Sequence, residues 1–193
     1  MIIEPIAVPA LPPIPGWSEI HPLIIHFPIV LLLVAPLFVL AAMAMKPEKA
    51  RPFLIAALAL MVLGTVSAFV AVGSGEAAAE VADRTVAASA VLEHHEDLAR
   101  MTELVFTVLT LIFTTVLFLP SYLKREMGTV ALRSVLLAFL LLYGAGTVVL
   151  VNAAHNGGRL VHEFGVHSMM APANPGTNQP IPASAPRMQD EGQ

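Results

Sequence analysis

Four runs of apolar residues, each bounded by charge or proline, divide the chain. Residues 23–45, 52–72, 104–123 and 130–151 contain almost no ionisable side chain. Each is long enough for a helix to cross a hydrocarbon core of roughly 30 Å, which takes about 20 residues. Four transmembrane helices are therefore expected. Residues 75–100, between the second and third runs, are rich in Ala, Glu and Leu and contain no Pro. That pattern predicts that both flanking helices continue past the bilayer, with a break near 83–86. Glu80 with Arg84, and Glu96 with Arg100, have the i,i+4 spacing that supports such an extension, although a solvated helical face explains these charges equally well. The fold class expected is all-α: an integral membrane four-helix bundle with up-down-up-down topology.

Composition agrees. Of 193 residues 56% are hydrophobic and 12% charged, and the mean hydropathy is +0.77, far more apolar than a soluble domain needs to be. Around the spans we expect a Pro-rich arm over 1–20 with Trp17 at the headgroup boundary, a transmembrane domain over 21–155, and a largely irregular tail over 156–193. The arm contains no Lys or Arg before the first span, so that span does not read as a cleaved signal peptide. No internal repeat is evident beyond the helical hairpins themselves.

Charge sets the expected orientation. Lys46, Lys49, Arg51, Lys124, Arg125 and Arg133 lie near the first and third connections, against only Glu48 and Glu126, which predicts that this side faces the cytoplasm. The other side has four arginines against twelve acids. Both termini are then expected outside, and the setting is a bacterial cytoplasmic (inner) membrane with a periplasmic histidine-rich face.

All seven histidines fall on that acidic side. His21 and His26 open the first helix, His94 and His95 precede the third span, His155 ends the fourth, and His162 and His167 follow. Helical residues five apart point about 140° apart, so His21 and His26 serve either two neighbouring sites or one site and a cap. Pro28 removes a backbone bond to Ile24 and predicts a bend near His26. An up-down bundle places the fourth helix beside both the first and the third, so a site could gather His26, one of His94 and His95, and His155. Without cysteine, thiolate ligation and c-type haem attachment are excluded. Two chemistries remain: a b-type haem held by histidines, or a zinc or copper ion bound by His21, His26, His95 and His155. Arg159 is a candidate for a haem propionate, or an ordinary surface arginine. Gly144 and Gly146 leave room for a flat macrocycle or a close helix neighbour, and Gly157-Gly158 read as a helix terminator.

At these residues the chain resembles a family. The opening His21-Pro22-Leu23-Ile24-Ile25-His26-Phe27-Pro28-Ile29 and the closing Ala154-His155-Asn156-Gly157-Gly158-Arg159-Leu160-Val161, with Gly165-Val166 after it, are similar to the two ends of the bacterial membrane family called domain of unknown function 2231. The resemblance implies a four-helix membrane domain found beside cytochromes and other redox modules and suggested to hold haem. It also matches His21, His26, His155 and one of His94 or His95 to the family's recurring histidines. Where the family pattern has a tyrosine and then a histidine before the final Gly-Val, this chain has His162 and Phe164.

Soluble-type hydrolase and nucleotide motifs are absent, and the spans contain almost no mid-depth ionisable group to mark a transport path. The expectation is an electron-transfer subunit in the lipid bilayer rather than a stand-alone enzyme. It would bind one or two b-type haems near the outer face and exchange electrons with quinol or a c-type cytochrome. Two alternatives stand beside it: a cofactor-free structural subunit of a larger membrane complex, and a zinc- or copper-binding membrane protein. Nucleic acid is not an expected partner of an acidic face.

Overall fold

A computed structural model describes residues 14–82, 85–124 and 128–166. Among them the chain is all helical: α1 (His21–Ile24), α2 (His26–Ala44), α3 (Pro47–Val81), α4 (Val86–Tyr122) and α5 (Thr129–His162). The helices from His21 to Ala44, and α3, α4 and α5, are each long and apolar enough to cross a membrane. At about 1.5 Å per residue, α3 and α4 are roughly 50–55 Å long, well beyond the bilayer core. Their excess lies at the histidine-bearing end, as the Ala- and Glu-rich segment predicts.

The separation of α1 from α2 follows from Pro28, which has no N–H to offer the Ile24 carbonyl. Ile25, between the two helices, still donates to the His21 carbonyl at 3.1 Å, and its backbone stays in the right-handed helical region. The α3–α4 break falls where expected, and Thr85 caps α4 by accepting a bond from the Ala88 N–H at 3.2 Å. Neither Gly157 nor Gly158 ends the last helix. It continues to His162, past the boundary expected at 155, so residues 156–162 are helical rather than part of an irregular tail. The terminating glycine is Gly165, at φ +64°, around which the Val166 N–H reaches back to the Leu160 carbonyl.

Helices pack in chain order and the ring closes through α2 against α5. Small residues set the close approaches. A Cβ on Gly64 would lie 2.7 Å from Leu32, and one on Gly146 would lie 2.9 Å from Val105, so each glycine seats a neighbouring helix. For Gly146 the close-neighbour reading holds, while Gly144 faces open space. Between the helices, Phe106 packs edge-on to Tyr143 with ring centroids 5.2 Å apart, and Phe113 lies 4.8 Å from Phe139. The Tyr143 hydroxyl donates to the Leu32 carbonyl at 2.7 Å, and Thr65 and Thr110 share a 3.0 Å hydroxyl bond. Among the described residues, no buried side-chain polar atom lacks a partner. Leu63, Leu111 and Leu141 are exposed on the outside of the bundle, as a lipid-facing surface requires.

Candidate functional site

At the histidine-bearing end, beyond the aromatic core, the bundle opens into a cavity of about 420 Å³. It lies between α1, the start of α2, α3, α4 and α5, and its walls are mostly Ala, Ile, Leu and Val. The size falls within the range of about 300–1,000 Å³ that suits a small molecule or cofactor. Ala79, Leu92 and Leu160, with Val91 and Val166 against them, form a second apolar cluster at this end.

Of the imidazoles that line the cavity, two, His21 and His95, are held alike. His21 Nδ1–H donates to the Ala71 carbonyl of α3 at 2.9 Å, with the Ser74 hydroxyl 3.3 Å away, and the Ser74 Oγ–H itself donates to Ala71. His95 Nδ1–H donates to the Ala153 carbonyl of α5 at 2.8 Å. Since a carbonyl can only accept, both neutral rings are fixed as the Nδ1–H tautomer and carry the lone pair on Nε2. A bond of this kind, from the ring nitrogen that does not ligate, orients ligating histidines in metal sites. Each ring also lies on a glycine. A Cβ at Gly75 would stand 2.7 Å from His21 Cε1, and one at Gly157 would stand 3.0 Å from His95 Cε1. Gly157 is therefore explained by the imidazole packed on it rather than by helix termination.

Burial favours the neutral form of both rings. It pushes His21 below its usual pKa against the pull of the Ala71 carbonyl, and His95 adds to the lowering. Burial likewise lowers His95, opposed by the Ala153 carbonyl and by Glu96. Both residues lie outside the expected spans at 23–45 and 104–123.

The other sequence candidates are placed differently. His26, His94 and His155 are exposed and do not line the cavity. His162 borders it from an exposed position, and His167 lies outside the described residues. Arg159 does not line the cavity. It pairs with Glu163 at 3.0 Å and donates to Asn156 at 3.5 Å. Arg100 lines the cavity instead, paired to Glu76 across α3 and α4 at 2.9 Å rather than to Glu96 on its own helix. Arg84, the partner expected for Glu80, lies outside the described residues. The signal for Arg100 was its place on the charged extension of α4, which packs against α3.

The donor set can be tested against the expected groups. Zinc sites use three or four protein ligands, and among the described residues no group of three His, Asp or Glu side chains is placed to hold an ion. Two tethered imidazoles beside an apolar cavity, with a guanidinium on its wall, are the donor types that would hold a b-type haem and one of its propionates.

A family model described as "Predicted membrane protein (DUF2231)" matches residues 18–170. No curated protein and no solved structure matches the chain.

Proposed function

The chain belongs to this family of multi-pass membrane proteins, and from that premise we propose that it is an electron-transfer subunit holding b-type haem in the cavity at its histidine-bearing end. The observation that carries the reading is the matched pair of imidazoles, each tethered through Nδ1 to a neighbouring helix and each lining the same apolar cavity. His21 and His95 would hold the iron, and Arg100 would take a propionate. The haem would supply reversible one-electron exchange. The protein's part is to orient the imidazoles, keep them unprotonated and surround the macrocycle with apolar wall.

Charge supports a place for the subunit in a redox relay. Among the described residues, the cavity end carries carboxylates such as Glu19, Glu93, Glu96, Asp97 and Glu163 and has only Arg100 and Arg159 to offset them. Such a surface favours a basic soluble partner, as expected of a c-type cytochrome, while the membrane offers quinol as the other partner. The positive-inside asymmetry supports a periplasmic placement of this end, in the bacterial inner membrane.

The test is an absorption spectrum of the purified full-length protein, produced with adequate haem, as isolated and after dithionite. A Soret band with α and β bands that sharpen on reduction is expected. Protein without a Soret band would refute the proposal and favour a cofactor-free structural subunit.

A further inference from the structure

The two halves of the bundle repeat each other in register, a relation carried by a few identical residues and by buried positions held at a fixed step. On α3, Gly64-Thr65-Val66, Ala71 and Gly75 are matched 82 residues later on α5 by Gly146-Thr147-Val148, Ala153 and Gly157. Buried positions keep the same step: Leu54, Ala57, Met61, Ala68 and Ser74 against Leu136, Phe139, Tyr143, Leu150 and Asn156. On the preceding helices, Leu32, Ala35 and Val39 are matched 74 residues later by Phe106, Leu109 and Phe113, all buried. The same step of 74 takes His21 to His95.

Packing obeys this relation. The contact of α3 with α4 is repeated by that of α5 with α2, and each hairpin begins at the histidine-bearing end. The halves are thus related by a pseudo-two-fold along the bundle axis, the geometry of parallel repeats in membrane proteins. The difference between the two steps, 82 against 74, makes the second hairpin eight residues longer around its turn at the opposite, basic end.

The repeat reaches the chemistry. The acceptors of the two Nδ1–H bonds, Ala71 and Ala153, are equivalent positions, and so are Gly75 and Gly157 beneath the rings. An imidazole that merely capped a helix end would have no reason to recur with the same acceptor and the same glycine four residues further on. We infer that the cavity binds one haem per chain on the pseudo-two-fold, with His21 and His95 as equivalent axial ligands. This inference rests on the haem reading above. It adds that the protein fills both axial positions, leaving none for dioxygen or carbon monoxide, so the site moves electrons and does not bind gases.

The experiment uses the purified full-length protein and two variants, His21→Gly and His95→Gly. The wild type is expected to hold one haem per chain by pyridine haemochrome assay, to be low-spin, and to ignore carbon monoxide when reduced. Each variant should become high-spin and bind carbon monoxide, and added imidazole should return both to the same low-spin spectrum. Two haems per chain, carbon monoxide binding by the wild type, or a spectral change in only one variant would overturn the inference. Should neither variant accumulate, the stoichiometry and carbon monoxide response of the wild type still decide. A wild type without haem is instead a failure of the functional reading, whereas haem with unequal variants is a failure of the equivalence alone.

Discussion

Gly157 and Gly158 are adjacent in one helix, yet alanine at the two positions is expected to act with opposite sign. Both lie inside α5 at the end that projects from the membrane, where replacing glycine by alanine stabilises a helix by about 0.8–1.0 kcal/mol. A Cβ at Gly158 meets nothing within 4 Å, so Gly158→Ala should keep that gain. A Cβ at Gly157 would lie 3.0 Å from Cε1 and 3.4 Å from Nδ1 of His95, so the ring must retreat. Retreat strains the 2.8 Å bond from His95 to the Ala153 carbonyl, worth about 0.5–1.5 kcal/mol. Overpacking of a filled site costs about 1–3 kcal/mol more. Set against the helical gain, Gly157→Ala should be net destabilising by about 0.5–3.5 kcal/mol. For a chain of this size each kcal/mol shifts Tm by about 2–4 °C, which separates the variants by at least about 3 °C. Thermal melts followed by circular dichroism in detergent measure this directly. Equal stabilisation by both substitutions would refute the packing of His95 on Gly157.

Other outcomes follow from the same contacts. Tyr143→Phe removes the bond to the Leu32 carbonyl and should lower stability by about 0.5–1.5 kcal/mol in the same melts. Because burial lowers the pKa of His21 and His95, the unfolded chain takes up protons first on acidification. Stability of the haem-free protein should therefore be level above about pH 6.5 and fall below it, and a His21→Gln/His95→Gln double variant should flatten that slope. Glu76→Gln breaks a pair with Arg100 whose side chains are 46% and 60% exposed, so solvent screening leaves Tm nearly unchanged. Arg100→Ala should likewise spare Tm but speed haem loss to apomyoglobin; an unchanged rate would remove Arg100 from the propionate role.

The four spans, the α3–α4 break and the gathering of chemistry at one end were legible in the sequence, because each rests on composition or on charge near a helix end. The pairing of histidines was not. Which ring turns inward depends on the rotational phase of each helix and on a carbonyl acceptor in another helix, and the residue spacing in His21-Pro22-Leu23-Ile24-Ile25-His26 leaves both rings available. Helix termination at Gly157 was a local inference that a distant contact overrode: glycine there answers to His95, 62 positions earlier in the chain. Arg100 illustrates the same limit, since its i,i+4 neighbour Glu96 competes with Glu76 on another helix and Glu76 makes the bond. The repeat was hidden because its signature is small residues and buried positions held at a fixed step, with Met61 standing opposite Tyr143 and Ala57 opposite Phe139.

The extra length of the second hairpin around its turn has a practical meaning. Chain has been added there without disturbing the register of either histidine or either glycine at the far end. That turn is therefore where a reporter or affinity handle should be inserted, whereas Ala82, directly after α3, lines the cavity, and insertion beside it should not be tolerated.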